Sequence, residues 1–444
     1  MARLVIVSNR VPAKREERAG GLAVVLAEAL KHETLWFGWS GRITPETAVM
    51  PSVHKRGLIT YATVDLSRTD YEHYYIGFSN RSLWPLFHYR TGLSAFTRAE
   101  YQGYRRTNAK FAAMLAPLLR PDDLVWIHDY HLIPLGRELR ALGCRQKLCF
   151  FLHIPFPPAD LMEILPPAEE LMTDFCAYDL AGFQTARDER NFRAALMGKS
   201  VRSAAIPVGI DANGFAAMAR KAAEGDEAQR LTESLAGRRV LIGADRLDYS
   251  KGLPERFDAY SHLLERYPQY RRQVSFLQIA ARSREDVAEY RALKRDLDRV
   301  TGKINGKYAE FDWVPLRYLT HGMARNILAG FFRMAAIGLV TPLRDGMNLV
   351  AFEYVAAQYE NDPGVLILSR FAGGAASLDG AVTVNPLDPE SVADAIHEGL
   401  SMPHGERLAR WRRMMDVVSR DTAAAWCNRF LSDLGAGTVL RVAS

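Results

Sequence analysis

A polar turn between an apolar run and a helix-like segment carries the clearest chemical signal in the chain. The turn RDGMN at 344–348 follows the strand-like run 337–343 and leads into a segment that contains Glu353. The first N–H groups of a helix lack intrahelical partners and carry partial positive charge, so they suit a phosphate. Carboxylates such as Asp345 and Glu353 accept hydrogen bonds from sugar hydroxyls. The segment therefore predicts a nucleotide-sugar site, although an ordinary βα turn has the same pattern.

Two cations follow a second strand-like run, where both can face one anion. Arg246 and Lys251 come after the apolar run 240–244 and lie on either side of a short turn. An arginine fork binds phosphate oxygens in a bidentate way, and lysine adds a mobile point charge. A solvated surface loop is the alternative interpretation of one such pair. Because two strand ends offer complementary chemistry, we expect this pair to bind a diphosphate.

Apolar strands alternate with amphipathic helices along the chain, which favours an α/β fold with parallel sheets. A polar helical stretch at 216–235 separates two series of strands, so we place a domain boundary near residue 210. The first domain is then 1–210 and the second is 211–444. The last helical segment of the chain begins at about residue 405, and the sequence leaves open whether it packs on the second domain or crosses back to the first. Two such domains leave a cleft at the carboxyl ends of their strands, where ligands bind. The predicted strands are 3–8, 124–127, 148–152, 240–244, 274–279, 337–341, 365–368 and 381–384, and a further strand is predicted to end near 204–207.

The first domain has polar residues at its own strand ends. Arg10 follows the first strand, the sequence HDYH at 128–131 follows the second, and His153 follows the third. The pair Gly20 and Gly21 precedes an apolar helical segment, and glycines there let a phosphate or sugar approach the backbone closely. These positions are the candidates for a second set of ligand contacts.

A metal site is an alternative interpretation of the HDYH sequence. His128, Asp129 and His131 are residue types that bind metal ions. Their spacing matches no recognised metal motif, and no further ligand is placed beside them at such a spacing. We therefore expect a site without metal.

The composition excludes several classes of protein. The 444 residues are 48% hydrophobic and 24% charged, as in soluble globular proteins, and their length suits two domains. The net charge of +6 is dispersed, so no nucleic-acid tail or membrane patch is predicted, and the basic excess fits phosphate sites. The four cysteines form no CxxC pair and are predicted to be reduced, buried thiols. The first residues lead directly into a strand rather than a signal-peptide core, which favours a cytoplasmic protein.

Together these motifs resemble the trehalose-6-phosphate synthases, a family of retaining glycosyltransferases with the GT-B fold. The resemblance covers nearly the whole chain, and motifs of this length in this order are highly specific. It implies two Rossmann-like domains with parallel sheets facing a central cleft. The motifs are VSNR at 7–10, AGGLA at 19–23, WFGWSG at 36–41, LWPLFHYR at 83–90, WIHDYHL at 126–132, HIPFP at 153–157, GFQT at 182–185, RLDYSKGLPER at 246–256, INGKY at 304–308 and TPLRDGMNLVAFEY at 341–354.

The resemblance implies transfer of glucose from a nucleoside diphosphate, usually UDP, to the anomeric hydroxyl of glucose 6-phosphate, giving α,α-trehalose 6-phosphate. For the donor it implies that Arg246 and Lys251 hold the diphosphate, that Asp345 and His153 hold glucose hydroxyls, and that the Glu353 carboxylate holds the ribose. The implied donor set is Gly20, Gly21, Arg246, Lys251, Leu349, Val350, Ala351, Phe352 and Glu353.

For the acceptor, the resemblance implies that Arg10 and Arg284 clamp the phosphate, while Tyr75, Trp84 and Asp129 line the pocket. The sequence departs from the family pattern at Phe352, where lysine is frequent, and at 322–325, near the expected uracil contact. The implied catalytic set is Arg246, Lys251, Asp129, His153 and Asp345.

The implied mechanism uses neither a metal nor a cofactor. A covalent intermediate needs a carboxylate on the face opposite the leaving group, and the motifs offer no obvious candidate. The family mechanism is front-face attack, in which the leaving phosphate accepts the proton of the acceptor. Arg246, Lys251 and helix N–H groups would stabilise the charge that develops on the diphosphate.

Two other functions stay open at this point. One is a related glycosyltransferase or pseudo-glycosyltransferase that acts on another phosphorylated acceptor, such as glycerol phosphate. The other is a catalytically silent regulatory or binding protein on an inherited fold. The expected partners are UDP-glucose and glucose 6-phosphate, while the choice among UDP, GDP and ADP donors and a homo-oligomeric state are left open.

Overall fold

The computed structural model describes residues 3–11, 26, 33–46, 49–284 and 286–434. Contacts between residues divide the chain into two units. The described part of the first unit is 3–11, 26, 33–46, 49–208 and 423–434, and that of the second is 209–284 and 286–422. The domain boundary near residue 210 stays a prediction. Gly20, Gly21 and the predicted donor contacts there lie outside the described residues.

One mostly parallel sheet is the framework of the first unit. Its eight strands are β1 (Leu4–Arg10), β2 (Thr34–Thr44), β3 (Ser52–Arg56), β4 (Ile59–Ser67), β5 (Leu124–His128), β6 (Lys147–Leu152), β7 (Leu180–Phe183) and β8 (Ser203–Ala205). Their order is β3-β4-β2-β1-β5-β6-β7-β8. All neighbours are parallel except β3 and β4. The sheet departs from parallel pairing only at this edge, where the two residues between the strands allow only a hairpin.

Helices connect the strands of the first unit. A wide π-helix, Tyr71–Leu83, runs directly into the short helix Trp84–Phe87. Thr97 caps the longest helix by accepting a hydrogen bond from Glu100 N at 3.2 Å, as expected for a threonine N-cap. The longer α-helices are α1 (Arg98–Leu115), α2 (Leu135–Ala141), α3 (Ala168–Asp174) and α4 (Ala186–Ala195). Shorter helical segments are Arg68–Asp70, Thr91–Leu93, Ala116–Leu118, Tyr130–Leu132, Ala159–Met162 and Phe175–Ala177.

The second unit has a fully parallel sheet of six strands. They are β9 (Arg239–Arg246), β10 (Val274–Ala281), β11 (Leu316–Leu319), β12 (Ile337–Val340), β13 (Val365–Ser369) and β14 (Val382–Val384). Their order is β11-β10-β9-β12-β13-β14, and every neighbouring pair is parallel. If β9 is counted as the first strand, this is the 3-2-1-4-5-6 order of the Rossmann fold. The order therefore reverses between β9 and β12.

The helices of the second unit cover this sheet. The predicted single stretch at 216–235 is wrong, because Gly225 separates two helices there. Glycine at this point favours a helix end over a helix interior. The helices are α5 (Ala212–Ala223), α6 (Asp226–Leu235), α7 (Leu253–Arg266), α8 (Ala288–Tyr308), α9 (Arg325–Met334), α10 (Leu349–Ala357), α11 (Pro389–Ser401) and α12 (His404–Arg420). Shorter segments are Tyr249–Lys251, Pro268–Tyr270 and Gly373–Ala376.

The last described helix, α13 (Ala423–Asp433), belongs to the first unit. Its Trp426 and Phe430 are buried, and their rings lie 4.7 Å and 4.5 Å from the ring of Trp126 on β5. Aromatic pairs at such distances add to the stabilisation from buried area. The aromatic face of α13 thus completes the core beside β5.

Two observations bear on the sequence-based expectations about cysteines and membranes. Cys149 and Cys427 are buried, but Cys144 is half-buried and Cys176 is exposed. The predicted burial is wrong for Cys176, since a helical context does not fix which face a residue occupies. Within the described ranges, no helix combines the length and the apolar character needed to cross a bilayer.

Candidate active site

The point where the second sheet reverses its strand order brings the predicted donor residues to one edge. Ligands of open α/β sheets bind at such a point, outside the carboxyl ends of the strands. Arg246 is the last residue of β9, and Lys251 ends the turn that follows it. Asp345 and Glu353 follow the neighbouring strand β12, on its loop and on α10. The four residues therefore belong to two adjacent strand ends.

The turn after β9 is held close to the loop after β12. Buried Asp248 accepts a hydrogen bond from Ser250 N at 3.0 Å, and Ser250 O accepts one from Leu343 N at 2.8 Å. Gly252 has a φ of +64°, and a Cβ at this residue would lie 2.4 Å from the carbonyl oxygen of Thr341. Both the backbone angle and the close approach require glycine. The two predicted ligand loops are thus fixed against each other.

Lys251 and Asp345, predicted as separate ligands of phosphate and sugar, form an ion pair. Lys251 Nζ donates to Asp345 Oδ2. The same carboxylate accepts hydrogen bonds from Gly346 N at 2.9 Å and from Asn348 Nδ2 at 3.0 Å. The side chains of the pair are only 12% and 14% exposed. These contacts present a cation and a carboxylate at fixed positions, which is what oriented ligand binding requires.

The start of α10 lies at the predicted nucleoside end of the donor. Asn348 precedes the helix in a left-handed conformation, with a φ of +62°. Leu349 and Val350 are half-buried, and residues 351–357 are all buried. The side chain of Phe352 is buried in the core, so only the backbone of this residue is available for the predicted donor contact. The first N–H groups and the positive end of the helix dipole suit a phosphate or a nucleoside oxygen.

Glu353 has an arginine partner that the sequence analysis did not assign. Its side chain is buried, and its Oε1 accepts a hydrogen bond from Arg325 Nε at 3.1 Å. The Arg325 guanidinium also lies 5.0 Å from the ring centroid of Phe215. The ion pair orients the carboxylate that is predicted to hold the ribose. Arg325 falls in the segment 322–325 that departs from the family pattern, and no local signal links it to a residue 28 positions away.

A fully buried arginine joins the strand ends that carry these residues. Arg256 Nη1 donates to Asp245 Oδ2 at 2.6 Å and to Gln278 Oε1 at 2.8 Å. Its Nε donates to Thr341 Oγ1 at 2.9 Å and its Nη2 to the carbonyl oxygen of Lys251 at 3.2 Å. Burial raises the pKa of the Asp245 carboxyl, and the charge of Arg256 opposes that rise. One guanidinium thus connects β9, β10, the loop after β12 and the turn that ends at Lys251.

Arg284, predicted to hold the acceptor phosphate, also lies in the second unit. Its Nη1 is 2.5 Å from Tyr290 OH and 3.4 Å from Asp248 Oδ2, and its side chain is 5% exposed. It has a φ of +51°, in the left-handed region. Arg10 belongs to the first unit. A phosphate clamp shared by Arg10 and Arg284 stays a prediction.

In the first sheet, the strand order reverses between β1 and β5. Arg10 is the exposed last residue of β1. Its neighbour Asn9 accepts a hydrogen bond from Tyr74 OH at 2.8 Å, which fixes the strand end. A Cβ on Gly41 of β2 would lie 2.9 Å from Arg10 Nε, so the guanidinium packs closely against that glycine. These contacts position a cation at the carboxyl edge of the sheet.

Asp129 follows β5 in a strained backbone conformation. Its φ of +77° and ψ of +164° belong to a region that is essentially restricted to glycine. Three hydrogen bonds hold it there: Asp129 N donates to Phe151 O at 2.8 Å, His153 N donates to its Oδ1 at 3.2 Å, and Leu132 N donates to its carbonyl oxygen at 3.1 Å. Such strain costs about 1–3 kcal/mol and clusters at ligand sites, which supports the predicted role of Asp129.

The two predicted aromatic acceptor residues pack beside the segment that follows β5. Tyr75 stacks on His131 with ring centroids 5.8 Å apart. Trp84 is largely buried, and its ring lies 5.6 Å from that of Tyr130. The structure therefore brings Tyr75 and Trp84 to the same end of the first sheet as Asp129.

The metal interpretation of the HDYH sequence finds no support in these positions. His128 is fully buried and its Nδ1 lies 3.1 Å from His153 Nε2, whereas His131 packs against the ring of Tyr75. In the part of the chain that the structure describes, no group of three or more His, Cys, Asp or Glu side chains is arranged to hold a metal ion. The expectation of a site without metal stays a prediction.

His128 and His153 form a contact at the ends of β5 and β6 in which both rings are neutral. Burial lowers the pKa of His153 to about 3. Burial also lowers the pKa of His128 well below its ordinary value, and the neighbouring His153 contributes in the same direction. Both ring nitrogens of His153 contact side chains of the first unit, namely His128 and Gln184. The predicted contact of His153 with a glucose hydroxyl stays a prediction.

Acid should destabilise the first unit through these two histidines. Their folded pKa values are depressed, so the unfolded chain binds protons near its pKa of about 6.5 while the folded unit does not. Stability is then complete above about pH 6.5 and falls by about 1.4 kcal/mol per pH unit for each histidine as the pH drops toward their folded pKa values. Urea unfolding of the wild type and of His128→Asn between pH 5 and 8 measures this slope.

The control is His321→Asn, which replaces an exposed histidine. The slope below pH 6.5 should be shallower in His128→Asn than in the wild type and unchanged in His321→Asn. Equal slopes in all three proteins would contradict a neutral, buried His128.

Comparison with known proteins places these features in a family. The model of glycosyltransferase family 20 matches residues 3–436. The trehalose-6-phosphate synthase of Sinorhizobium fredii (strain NBRC 101917 / NGR234) is 46% identical over 460 aligned positions, which cover 99% of each chain.

Two solved structures agree with this match. The alpha,alpha-trehalose-phosphate synthase (UDP-forming) from Burkholderia vietnamiensis superposes with a TM-score of 0.96 at 47% identity, covering 98% of this chain and 99% of that chain. The corresponding enzyme from Burkholderia xenovorans in complex with glucose-6-phosphate gives a TM-score of 0.95 at 45% identity, covering 98% of this chain and 100% of that chain. With two Rossmann-like parallel sheets observed, the predicted GT-B fold class is confirmed. The match of the family model over nearly the whole chain, together with these identities, shows that the chain belongs to glycosyltransferase family 20.

Proposed function

We propose that this chain transfers glucose from UDP-glucose to glucose 6-phosphate with retention, giving α,α-trehalose 6-phosphate and UDP. The observation that carries the proposal is the strand-order reversal of the second sheet, where Lys251, Asp345 and the start of α10 lie together. The names of the similar enzymes support the same reaction, since one is described as UDP-forming and another is in complex with glucose-6-phosphate.

The donor chemistry follows from what this edge offers. Arg246 and Lys251 supply positive charge for the diphosphate, and the N-terminus of α10 adds backbone donors and the helix dipole. The Asp345 carboxylate accepts a glucose hydroxyl, and the Glu353 carboxylate, oriented by Arg325, accepts the ribose hydroxyls.

The acceptor chemistry follows from the residues at the carboxyl edge of the first sheet. Arg10 supplies charge for the sugar phosphate, with Arg284 of the second unit as its proposed partner. Tyr75 and Trp84 offer aromatic surface to the sugar ring, and Asp129 accepts one of its hydroxyls. A hexose phosphate uses all these groups, whereas the smaller glycerol phosphate would leave some of them without a partner.

Charge that develops on the departing diphosphate is the main target of catalysis. Arg246, Lys251 and the first N–H groups of α10 are preorganised to stabilise that charge, so bond cleavage requires little rearrangement of the protein. The acceptor hydroxyl attacks from the face that the diphosphate leaves, and a leaving phosphate oxygen takes its proton. Retention then needs no protein nucleophile.

Turnover assays with a panel of substrates test this proposal. The purified chain should release UDP from UDP-glucose only when glucose 6-phosphate is present, and the product should be a non-reducing disaccharide phosphate. GDP-glucose and ADP-glucose measure the donor preference, and glycerol phosphate tests the alternative acceptor. EDTA should leave the rate unchanged.

Each contrary result has a distinct meaning. Turnover of glycerol phosphate without turnover of glucose 6-phosphate would replace the proposed acceptor. Ligand binding without UDP release would support a silent binding protein, and loss of activity in EDTA would revive the metal site at His128, Asp129 and His131. A cytoplasmic location and a homo-oligomeric state stay predictions.

A further inference from the structure

We infer that Gln184 is a positioning residue that fixes the proton of His153 on Nε2 and thereby holds this ring in one neutral tautomer. The inference goes beyond the proposed function, and only its last, kinetic test rests on that function. It depends on the direction of three consecutive hydrogen bonds in the first unit, and each direction follows from the one before it.

The first hydrogen bond fixes the amide of Gln184. Val208 N lies 3.0 Å from Gln184 Oε1, and the glutamine side chain is buried. A backbone N–H can only donate, so the atom that faces it must be the amide oxygen. This contact removes the usual ambiguity between the oxygen and the nitrogen of a glutamine side chain.

The second hydrogen bond fixes the tautomer of His153. With its oxygen on Val208, Gln184 directs its NH₂ group at His153 Nδ1, 3.3 Å away. An amide NH₂ group only donates, so Nδ1 must accept and carries no proton. A neutral imidazole then has its proton on Nε2.

The third hydrogen bond fixes the tautomer of His128. His153 Nε2 lies 3.1 Å from His128 Nδ1, so the His153 proton points to His128, whose own proton is on Nε2. That Nε2 atom is buried with no hydrogen-bonding partner among the described residues, and the Trp126 ring centroid lies 4.7 Å from the His128 ring centroid. Four residues thus form one chain with a single direction.

Protonation of either ring would place two hydrogen-bond donors against each other in this chain of hydrogen bonds. A proton on His153 Nδ1 would meet the Gln184 NH₂ group, and one on His128 Nδ1 would meet the His153 Nε2–H. Among the described residues, the titratable groups in contact with His153 are His128 at its ring and Asp129 at its backbone N–H, whereas α13 contributes the uncharged Trp426 and β6 the uncharged Phe151. Burial of both histidines acts in the same direction.

The fixed tautomer has a consequence for the reaction. The Nδ1 lone pair of His153 is occupied by the Gln184 amide, so this ring does not act as a general base toward the acceptor hydroxyl. The proton released in glucosyl transfer then goes to another group, in agreement with its transfer to the leaving phosphate.

Nitrogen NMR of the histidine side chains tests the tautomer directly. The protein labelled with ¹⁵N-histidine is recorded between about pH 5.5 and 8, and the His153 signals are identified by their loss in His153→Asn. We expect one protonated nitrogen, Nε2, with a spectrum that does not titrate. A wild-type ring with its proton on Nδ1, or a mixture of tautomers, would overturn the inference.

Gln184→Glu replaces the hydrogen-bond donor that faces His153 Nδ1 with an acceptor. A carboxylate accepts from Nδ1–H, so the His153 signal should move to an Nδ1-protonated form and titrate within the range of an ordinary histidine, between about pH 5 and 8. Gln184→Leu removes the NH₂ donor without adding charge and should give a mixture of tautomers, which provides a second test if the glutamate variant does not fold. An unchanged His153 spectrum in the folded variant would overturn the assignment to Gln184.

Gln358→Glu is the matched control. Gln358 is buried, its Oε1 accepts from Gly364 N at 2.9 Å and its Nε2 donates to Phe332 O at 2.7 Å, but it has no contact with His153. Its replacement should leave the His153 spectrum unchanged, so a change there would indicate a general loss of structure.

The pH profile of the rate links the tautomer to the proposed function. In Gln184→Glu, the ratio of kcat at about pH 6 to kcat at about pH 8 should be at least about tenfold lower than in the wild type, because a cationic ring opposes the positive charge on the transferred sugar. An unchanged ratio despite a titrating ring would show that the charge of His153 has no effect on the transferred sugar. The NMR result needs no turnover, so failure of the proposed function leaves it intact.

Discussion

Replacing Arg246 with alanine is expected to lower kcat by about 10²–10³ at saturating UDP-glucose. Arg246 ends β9 at the strand-order reversal of the second sheet and carries the fork geometry that suits a diphosphate. The charge on that diphosphate is greatest as the glucosyl bond breaks, so the lost interaction is mainly one of the transition state. Initial-rate kinetics with both substrates varied measure the change in kcat and in each KM.

Two other arginines make the Arg246 result interpretable. Arg10→Ala should raise KM for glucose 6-phosphate with a smaller effect on kcat, because its proposed target phosphate is remote from the bond that breaks. Arg220→Ala should change neither, since Arg220 is an exposed residue of the second unit that pairs with Glu360 at 3.1 Å. Full kcat in Arg246→Ala at saturating donor would show that Arg246 does not stabilise the leaving group.

Replacing Arg256 with methionine is expected to destabilise the second unit by about 3–5 kcal/mol. The change removes the guanidinium from a fully buried site and leaves Asp245 without its charged partner, and Gln278 and Thr341 each lose a hydrogen bond. Because the carbonyl oxygen of Lys251 also loses a donor, UDP binding should weaken in the folded fraction. Urea unfolding and calorimetric titration with UDP measure the two effects.

A double variant and a matched arginine isolate the cause. Adding Asp245→Asn to Arg256→Met removes the uncompensated carboxylate and should recover part of the lost stability. Arg333→Met, in the same unit, removes another buried arginine whose Nη1 donates to the carbonyl oxygens of Ala357 and Gln358 at 3.0 Å and 2.8 Å. It leaves no buried carboxylate unpaired, so it should cost less and leave UDP affinity unchanged. A loss below about 1 kcal/mol in Arg256→Met would show that the network adds little to stability.

The strands that the sequence predicted best are those buried on both faces. β9, β10, β12 and β13 are mainly apolar runs, and all their observed bounds lie within two residues of the predicted ones. Strands β2 and β4 were missed because their long sequences mix aromatic, small and polar residues. The four-residue strands Leu180–Phe183 and Leu316–Leu319 are too short for periodicity to distinguish from a turn or a helix.

Individual ligand residues were predictable where a motif carries them, but their partners were not. Asp345 and Lys251 were assigned to different parts of the donor, yet they form one ion pair across 94 positions of sequence. The link between Arg325 and Glu353 likewise depends on how α9 and α10 pack, which no local pattern reports. Hydrogen-bond direction, as at Gln184, becomes readable only when the backbone donor that faces the side chain is known.

The return of α13 to the first unit has a consequence for synthesis of the chain. The second unit is continuous from 209 to 422, so all the residues of its sheet are available before Trp426 and Phe430 are made. The ribosome needs roughly 10–40 s for such a stretch at roughly 5–20 residues per second. During that interval Trp126 on β5 has no aromatic cover from α13. The unit that begins first is therefore the last to complete its core, and its apolar face depends on a helix that emerges only after its neighbour has been synthesised.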